Sequence, residues 1–220
     1  MIIYNPHNQS LLKSRVALAN KLLEQVPAKY CFITGSFLFK ETYNDIDIFV
    51  ITRSKKEIKI NHPKAKVTII DFNDLHSLFF HSISKSCVAK NLLPTKPLKV
   101  TLSDYWQVIN EAVPTLLNDK NKYHKNTRFL LLYTEYFKTG AVLDTCDLDQ
   151  AIHSFKSVEV VLEYIKQTIP KMVLNKKPAY LKRFFYTKSG HYKEFLQYSA
   201  QQFLYNLCHS ILGGAVYGKY

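Results

Sequence analysis

The sequence is short of cysteine, glycine and acidic residues, and it has no long apolar run. Its four cysteines are widely spaced without a C-x-x-C pair, which excludes a readable zinc site or disulfide framework. The longest apolar run, residues 129–133, is far shorter than the roughly 20 residues that a membrane span needs. The first residues lack a basic stretch followed by an apolar one, so no secretion signal is predicted. We therefore expect a cytoplasmic protein with reduced thiols and no membrane contact.

What the sequence does contain is an ordinary globular composition with a strong excess of positive charge. Of its 220 residues, 47% are apolar and 21% are charged, which excludes a wholly disordered or fibrous chain. Thirty lysines and arginines face seventeen acidic residues, which leaves a net charge of +13. Because this excess runs through both halves of the chain, it favours polyanionic partners without naming an activity.

The pattern of apolar residues changes character near a proline-containing stretch at residues 91–99. Before it, strands are predicted at 29–34, 45–52 and 66–72, with helices at 10–25 and 73–85. After it, helices are predicted at 103–118, 122–139, 148–169 and 191–212. We therefore predict an α+β chain with two domains. A small mixed β-sheet domain with helices covers residues 1–98, and an all-α helical bundle covers residues 99–220.

Two aspartates in the second predicted strand are the first candidates for chemistry. Asp45 and Asp47 are two positions apart, so in a strand their carboxylates project from the same face. Two like charges held this close favour a neutralising cation, and Mg²⁺ prefers such hard oxygen ligands. The alternative is a solvent-facing strand with alternating residues, although aspartate is depleted in strands.

A third aspartate and a Gly-Ser pair extend this set. Asp71 ends the third predicted strand, so three carboxylates are expected to converge on two Mg²⁺ ions about 4 Å apart. Gly35-Ser36 follows the first predicted strand, where backbone N–H groups and a hydroxyl can bind phosphate. The alternatives are a helix N-cap for Asp71 and a plain turn for Gly35-Ser36.

Over residues 29–72 this order of motifs resembles the DNA polymerase β-like nucleotidyltransferase superfamily. The shared pattern is an apolar strand, Gly-Ser, a short helix, Asp-x-Asp and a later acidic residue. The resemblance implies catalytic, metal-binding roles for Asp45, Asp47 and Asp71, and phosphate binding by Gly35 and Ser36. Minimal members found in toxin–antitoxin and abortive-infection systems are the most similar, since they join this unit to a helical bundle.

The resemblance implies transfer of a nucleoside monophosphate from ATP or another NTP to a hydroxyl group. Many minimal members carry an arginine after Gly-Ser, whereas this chain has Phe37-Leu38-Phe39-Lys40. Lys40 is therefore the candidate substitute for that arginine, as a point charge without the bidentate fork. A cognate toxin or antitoxin protein is the expected protein partner.

The expected acceptor is RNA, with a tRNA end among the candidates. Residues 164–193 hold basic and aromatic side chains and no acidic one, a composition suited to phosphate contact and base stacking. A protein side chain and an aminoglycoside-like hydroxyl remain open as acceptors. The main rival is a non-catalytic nucleic-acid-binding or antitoxin-like module, and a sugar-nucleotide glycosyltransferase is a third reading. The candidate nucleic-acid contacts are Lys176, Lys177, Lys182, Arg183 and Lys188.

Overall fold

The computed structural model describes residues 1–6, 11–54, 56–118 and 123–174. Within these ranges the chain is mixed α/β, with a five-stranded sheet, seven α-helices and one 3₁₀ helix. The strands are β1 (Ile2–Tyr4), β2 (Tyr30–Thr34), β3 (Ile46–Ile51), β4 (Ala65–Ile70) and β5 (Cys87–Ala89). The helices are α1 (Lys13–Glu24), α2 (Ser36–Phe39), α3 (Leu78–Lys85), α4 (Leu102–Asn118), α5 (Tyr123–Thr139), α6 (Thr145–Ser154) and α7 (Val158–Leu174). The 3₁₀ helix covers Phe72–His76.

The sheet is mixed, as the sequence predicts, and has the strand order β1-β5-β2-β3-β4. Strands β3 and β4 are parallel, and the other three neighbouring pairs are antiparallel. Thr34, the last residue of β2, lies opposite Asp47 of β3. On the other side of β3, Asp47 lies opposite Lys66 of β4. The end of β2 and the starts of β3 and β4 therefore meet at one end of the sheet.

Strands β2 and β3 are buried on both faces, which is why their sequences are almost continuously apolar. On one face, Ile48 belongs to a buried cluster that includes Leu22 of α1. On the other face, the rings of Phe32 and Phe49 stack at 5.3 Å and share a cluster with Phe80 of α3. Helices on both faces thus hold the central strands in place.

The three predicted strands are confirmed as β2, β3 and β4, and the first predicted helix is α1, which ends before Pro27. Helix α1 begins at Lys13 with Leu12 as its N-cap, whereas the predicted start, residue 10, lies outside the described residues. The helix predicted at 73–85 is divided into the 3₁₀ helix and α3, because the Ser77 side chain accepts from the Phe80 amide and starts a new helix.

The helix predicted at 148–169 is also divided, so that prediction is wrong in two respects. Helix α6 ends at Ser154, and α7 begins at Val158 and continues through Pro170 to Leu174. A proline inside a helix removes one backbone hydrogen bond, and here that loss does not end the helix. The helix predicted at 191–212 lies outside the described part of the chain.

The chain divides into two compact units, and the first is discontinuous in sequence. It consists of Met1–Val100 together with Val142–Asp149, whereas the sequence places the boundary after residue 98. The segment Val142–Asp149 joins the first unit through hydrogen bonds such as the one that Ser82 Oγ of α3 donates to the Leu143 carbonyl, at 2.7 Å. We refer to Val142–Asp149 below as the returning segment.

The second unit consists of Thr101–Ala141 and Gln150–Tyr220. Its described residues form helices, with α5 packed between α4 and α7. The buried Tyr105 hydroxyl of α4 and the Thr134 hydroxyl of α5 are 2.6 Å apart, which joins two of these helices. The all-α bundle stays a prediction, since residues 175–220 lie outside the described ranges. No helix in the described ranges combines the length and the apolar character that crossing a bilayer requires.

Candidate functional site

The turn after β2 depends on a glycine. Gly35 has φ +85° and ψ −165°, a backbone region that only glycine adopts without strain. The chain then enters the short helix α2, whose first residue, Ser36, is exposed. A Cβ atom placed on Gly35 would lie 4.0 Å from Asp47 Oδ2, so the Gly-Ser turn lies directly beside a predicted metal ligand.

Asp45 and Asp47 lie at the start of β3, beside this turn. Asp47 is the second residue of β3, and Asp45 is the residue immediately before the strand. Because they are two positions apart in extended chain, their side chains lie on the same face of the sheet. The side chain of Asp45 is 32% exposed, and Asp47 is half-buried. The structure therefore brings together Gly35, Ser36, Asp45 and Asp47, which we call the carboxylate site.

Lys66 joins this site from the neighbouring strand. Its Nζ lies 2.6 Å from Asp45 Oδ2, and its position in β4 is directly opposite Asp47. The hydrogen bond to Asp45 and the charges of Asp45 and Asp47 raise the pKa of the Lys66 ammonium group above its ordinary value. The sequence places Lys66 at the start of the third predicted strand and gives it no role in the site. Its place in the site follows from the parallel register of β3 and β4, which aligns residues 46 and 47 with residues 65 and 66.

Asp71 does not join the carboxylate site, so the expected convergence of three carboxylates is wrong. Strand β4 runs parallel to β3 with Lys66 opposite Asp47, and Asp71 lies five residues farther along. At about 3.3 Å per residue, it is displaced along the sheet by roughly 16 Å. Its Oδ1 accepts a hydrogen bond from the Asn73 amide at 2.8 Å, which makes Asp71 the N-cap of the 3₁₀ helix. The capping alternative is thus the one that the structure shows.

The carboxylate site offers a donor set that suits one Mg²⁺ ion held jointly with phosphate. In the described ranges, no three His, Cys, Asp or Glu side chains are grouped closely enough to hold a metal. Asp45 and Asp47 form a pair, and Mg²⁺ is commonly held by one or two carboxylates together with substrate phosphates. The predicted arrangement of three protein carboxylates around two ions does not fit these positions.

No family model matches this chain, and neither a curated protein nor a solved structure matches it. The family resemblance therefore remains an expectation from the motif residues.

Lys40, the predicted phosphate-binding lysine, forms an ion pair with Asp149 of the returning segment. Lys40 immediately follows α2, and its amide donates to the Ser36 carbonyl at 2.8 Å. The Asp149 side chain is 19% exposed and the Lys40 side chain is 46% exposed. A phosphate group that contacts Lys40 would therefore compete with a carboxylate that already holds it.

A buried polar network lies next to the carboxylate site, and sequence reasoning missed it. Thr34, opposite Asp47 in the sheet, donates from its hydroxyl to the Ser86 carbonyl at 2.7 Å. The Ser86 hydroxyl in turn donates to the carboxylate of Asp144, which is fully buried. Asp144 also accepts from the amides of Cys146 and Asp147, both at 2.9 Å, so it is the N-cap of α6.

One sequence signal could have found this network. Asp147 accepts from the Asp144 amide at 3.2 Å, which completes a reciprocal pair across the first turn of α6. The spacing Asp-Thr-Cys-Asp is thus a helix-start pattern. The sequence does not indicate that Ser86 is the hydrogen-bond partner of Asp144, because the two residues are 58 positions apart along the chain.

The remaining candidate residues lie outside the carboxylate site. Two cations between β3 and β4 cover aromatic rings, since Lys64 lies 4.5 Å from the centre of the Tyr43 ring and Arg53 lies 5.9 Å from that of Phe72. The five candidate nucleic-acid contacts lie outside the described residues, namely Lys176, Lys177, Lys182, Arg183 and Lys188.

Proposed function

We propose that this protein is a Mg²⁺-dependent nucleotidyltransferase whose nucleotide site is the carboxylate site. The observation that carries the proposal is the closeness of the Gly35 turn to Asp47, whose Oδ2 would lie 4.0 Å from a Cβ atom on Gly35. A strand, a Gly-Ser turn and an Asp-x-Asp strand start place the backbone N–H groups and hydroxyl of the turn beside paired carboxylates. Phosphoryl transfer needs this combination, because its catalysis depends on positioning and on neutralising phosphate charge.

Three side chains of the carboxylate site have a role in this proposal. Asp45 and Asp47 would hold Mg²⁺, and the Ser36 hydroxyl would bind a phosphate oxygen. Mg²⁺, when bound, supplies neutralisation of the negative charge on the triphosphate. In the transfer, the acceptor oxygen forms a bond to the α-phosphorus and gives its proton to solvent water. The bond from that phosphorus to the bridging oxygen breaks, and pyrophosphate leaves.

RNA is the acceptor class that the charge of the chain favours. The net charge of +13 attracts polyanions, and the basic, aromatic tract at residues 164–193 suits unpaired bases. A tRNA end is one candidate, and a protein or small-molecule hydroxyl would be a different outcome of the same assay. A cytoplasmic role in a toxin–antitoxin or abortive-infection system, with a cognate protein partner, forms part of this proposal.

The test is label transfer from α-labelled NTPs to total RNA in the presence of Mg²⁺. We expect Asp47→Asn to lower transfer by about a hundredfold, because one of two metal-holding carboxylates is lost. The matched control is Asp71→Asn, since this aspartate lies at the other end of β4 and asparagine also caps helices. No transfer by the wild type, or equal transfer by Asp47→Asn, would contradict the proposal.

One observation favours the non-catalytic alternative, a nucleic-acid-binding or antitoxin-like module. The ion pair between Lys66 and Asp45 already neutralises one carboxylate without any metal. Under this alternative, RNA binding weakens with salt, persists in Asp45→Asn and Asp47→Asn, and is accompanied by no NTP binding. Equilibrium binding to labelled RNA and NTP separates the two functions.

A further inference from the structure

We propose that Lys66 is a built-in cation of the carboxylate site, whose ammonium group takes the place of one of the two metal ions. A bound nucleotide then brings a single divalent ion to Asp45 and Asp47. This inference rests on the proposed nucleotidyltransferase function and adds a residue that determines its metal requirement. It follows from the position of Lys66 in the sheet and from its contact with Asp45.

The register of the sheet places Lys66 at the site. Side chains of directly paired residues in neighbouring strands project from the same face, so Lys66 and Asp47 share one face. Asp45, two positions before Asp47, lies on that face as well. The Lys66 Nζ then reaches Asp45 Oδ2 at 2.6 Å. A positive group thus occupies the strand position from which a third carboxylate would face the pair.

The nearby lysines are directed elsewhere by their own contacts. Lys64 donates to the Tyr43 carbonyl at 3.2 Å and lies over the ring of the same residue. Lys40 is paired with Asp149. Among the described residues around this end of the sheet, these contacts assign Lys66, and neither Lys40 nor Lys64, to Asp45 and Asp47.

The charges predict how Lys66 changes metal binding. Asp45 and Asp47 together carry two negative charges, and Lys66 reduces the local sum to one. A divalent ion that approaches the nucleotide-free site is therefore repelled by an ammonium group already in place. When a triphosphate binds, its own negative charge offsets that repulsion. Metal and nucleotide are thus expected to bind together, with the ammonium group beside them.

The test measures Mn²⁺ binding to the nucleotide-free, full-length protein by electron paramagnetic resonance. We expect Lys66→Gln to bind Mn²⁺ about tenfold more tightly than wild type, because one positive charge next to the ion is removed. The matched control is Lys59→Gln, which removes one exposed lysine from the loop between β3 and β4. Lys66→Arg, which keeps the charge, should bind Mn²⁺ as weakly as wild type. Since the Lys66 side chain is 67% exposed, these variants are expected to fold.

Equal Mn²⁺ affinity in Lys66→Gln and Lys59→Gln would overturn the inference and leave Lys66 as a surface ion pair only. Adding Asp47→Asn to Lys66→Gln must abolish the gain, and a gain that survives it would also overturn the inference. With an NTP analogue that cannot be cleaved between its α- and β-phosphates, we expect one Mn²⁺ per wild-type chain. Binding of two Mn²⁺ ions per wild-type chain would contradict the proposal that Lys66 takes the place of one metal ion.

These outcomes separate the two proposals. If labelled nucleotide is transferred while Lys66→Gln behaves as Lys59→Gln does, the nucleotidyltransferase stands and the role of Lys66 fails. If no label is transferred while Lys66→Gln gains an Asp47-dependent tenfold in Mn²⁺ affinity, the cation role stands and the transferase fails.

Discussion

Gly35 shows how one residue can determine the geometry of the candidate site. Its positive φ allows β2 to turn into α2 beside Asp47. We expect Gly35→Ala to lower the free energy of unfolding by about 1–3 kcal/mol, because a Cβ strains this backbone region. Urea denaturation measures the change. Ser36→Ala, at an exposed neighbouring position, should cost less than about 0.5 kcal/mol. Equal losses in the two variants would show that the backbone is not strained.

Cys31 makes the stability of the first unit sensitive to alkaline pH. Its side chain is fully buried, and burial raises the pKa of the thiol from its ordinary 9.0 to about 11. Between these values the unfolded chain loses the proton while the folded chain keeps it, so stability falls as pH rises. From pH 8 to pH 10, we expect wild type to lose about 1 kcal/mol more than Cys31→Val.

The control for this prediction is Ile33→Val, which alters the same buried cluster without removing a thiol. Urea denaturation at the two pH values should give Ile33→Val the same alkaline loss as wild type. A Cys31→Val variant that loses as much as wild type would assign the alkaline effect to other groups.

The sequence predicted the pairing of Asp45 and Asp47 in the carboxylate site. It did not predict that Lys66 lies at this site or that Asp71 lies away from it. The same-face placement of Asp45 and Asp47 follows from strand geometry alone, so the sequence was enough. The positions of Lys66 and Asp71 depend on which residue of β4 lies opposite Asp47, and a register is a property of two strands. Sequence patterns give a strand its faces without giving its alignment with the next strand.

At the scale of elements, the first turn of α6 depends on Asp144. Its buried carboxylate accepts from two amides of the helix and from the Ser86 hydroxyl. We expect Asp144→Ala to lower the free energy of unfolding by about 3 kcal/mol, because the cap is lost and buried donors lose their acceptor. Asp144→Asn keeps an acceptor oxygen and should cost about 1 kcal/mol. Thermal or urea unfolding that gives equal losses for both variants would contradict this role.

The central strands of the sheet were predictable from the sequence, and the two three-residue strands were not. The central strands β2 and β3 are bounded by turn residues and rich in β-branched and aromatic side chains, so their positions follow from the sequence. Strands β1 and β5 have three residues each, which is too short for an alternating pattern to be seen. They form because β5 pairs with both β1 and β2, a tertiary effect.

At the scale of the whole molecule, the charge predicts how RNA binding depends on salt. The net charge of +13 and five basic residues at 176–188 are expected to release counterions from RNA. If these five side chains each contact a phosphate, their replacement by glutamine reduces the steepness of the fall of log affinity with log salt by about 3.5. The replaced residues are Lys176, Lys177, Lys182, Arg183 and Lys188.

The control replaces five exposed lysines elsewhere with glutamine and so has the same net charge. An equal reduction in steepness in the two variants would assign RNA attraction to the total charge rather than to this tract. The measurement is RNA affinity over a series of salt concentrations. The control positions are Lys13, Lys21, Lys56, Lys59 and Lys96.

The discontinuity of the first unit has a consequence for how the ribosome makes it. All five strands are synthesised before residue 90. Asp144, whose carboxylate accepts from Ser86, is synthesised 58 residues after Ser86. Helices α4 and α5 are translated in between. During translation, the Ser86 hydroxyl therefore lacks its acceptor, Asp144, until residues 101–141 of the second unit have been synthesised. The order of synthesis thus separates the appearance of the sheet from its completion.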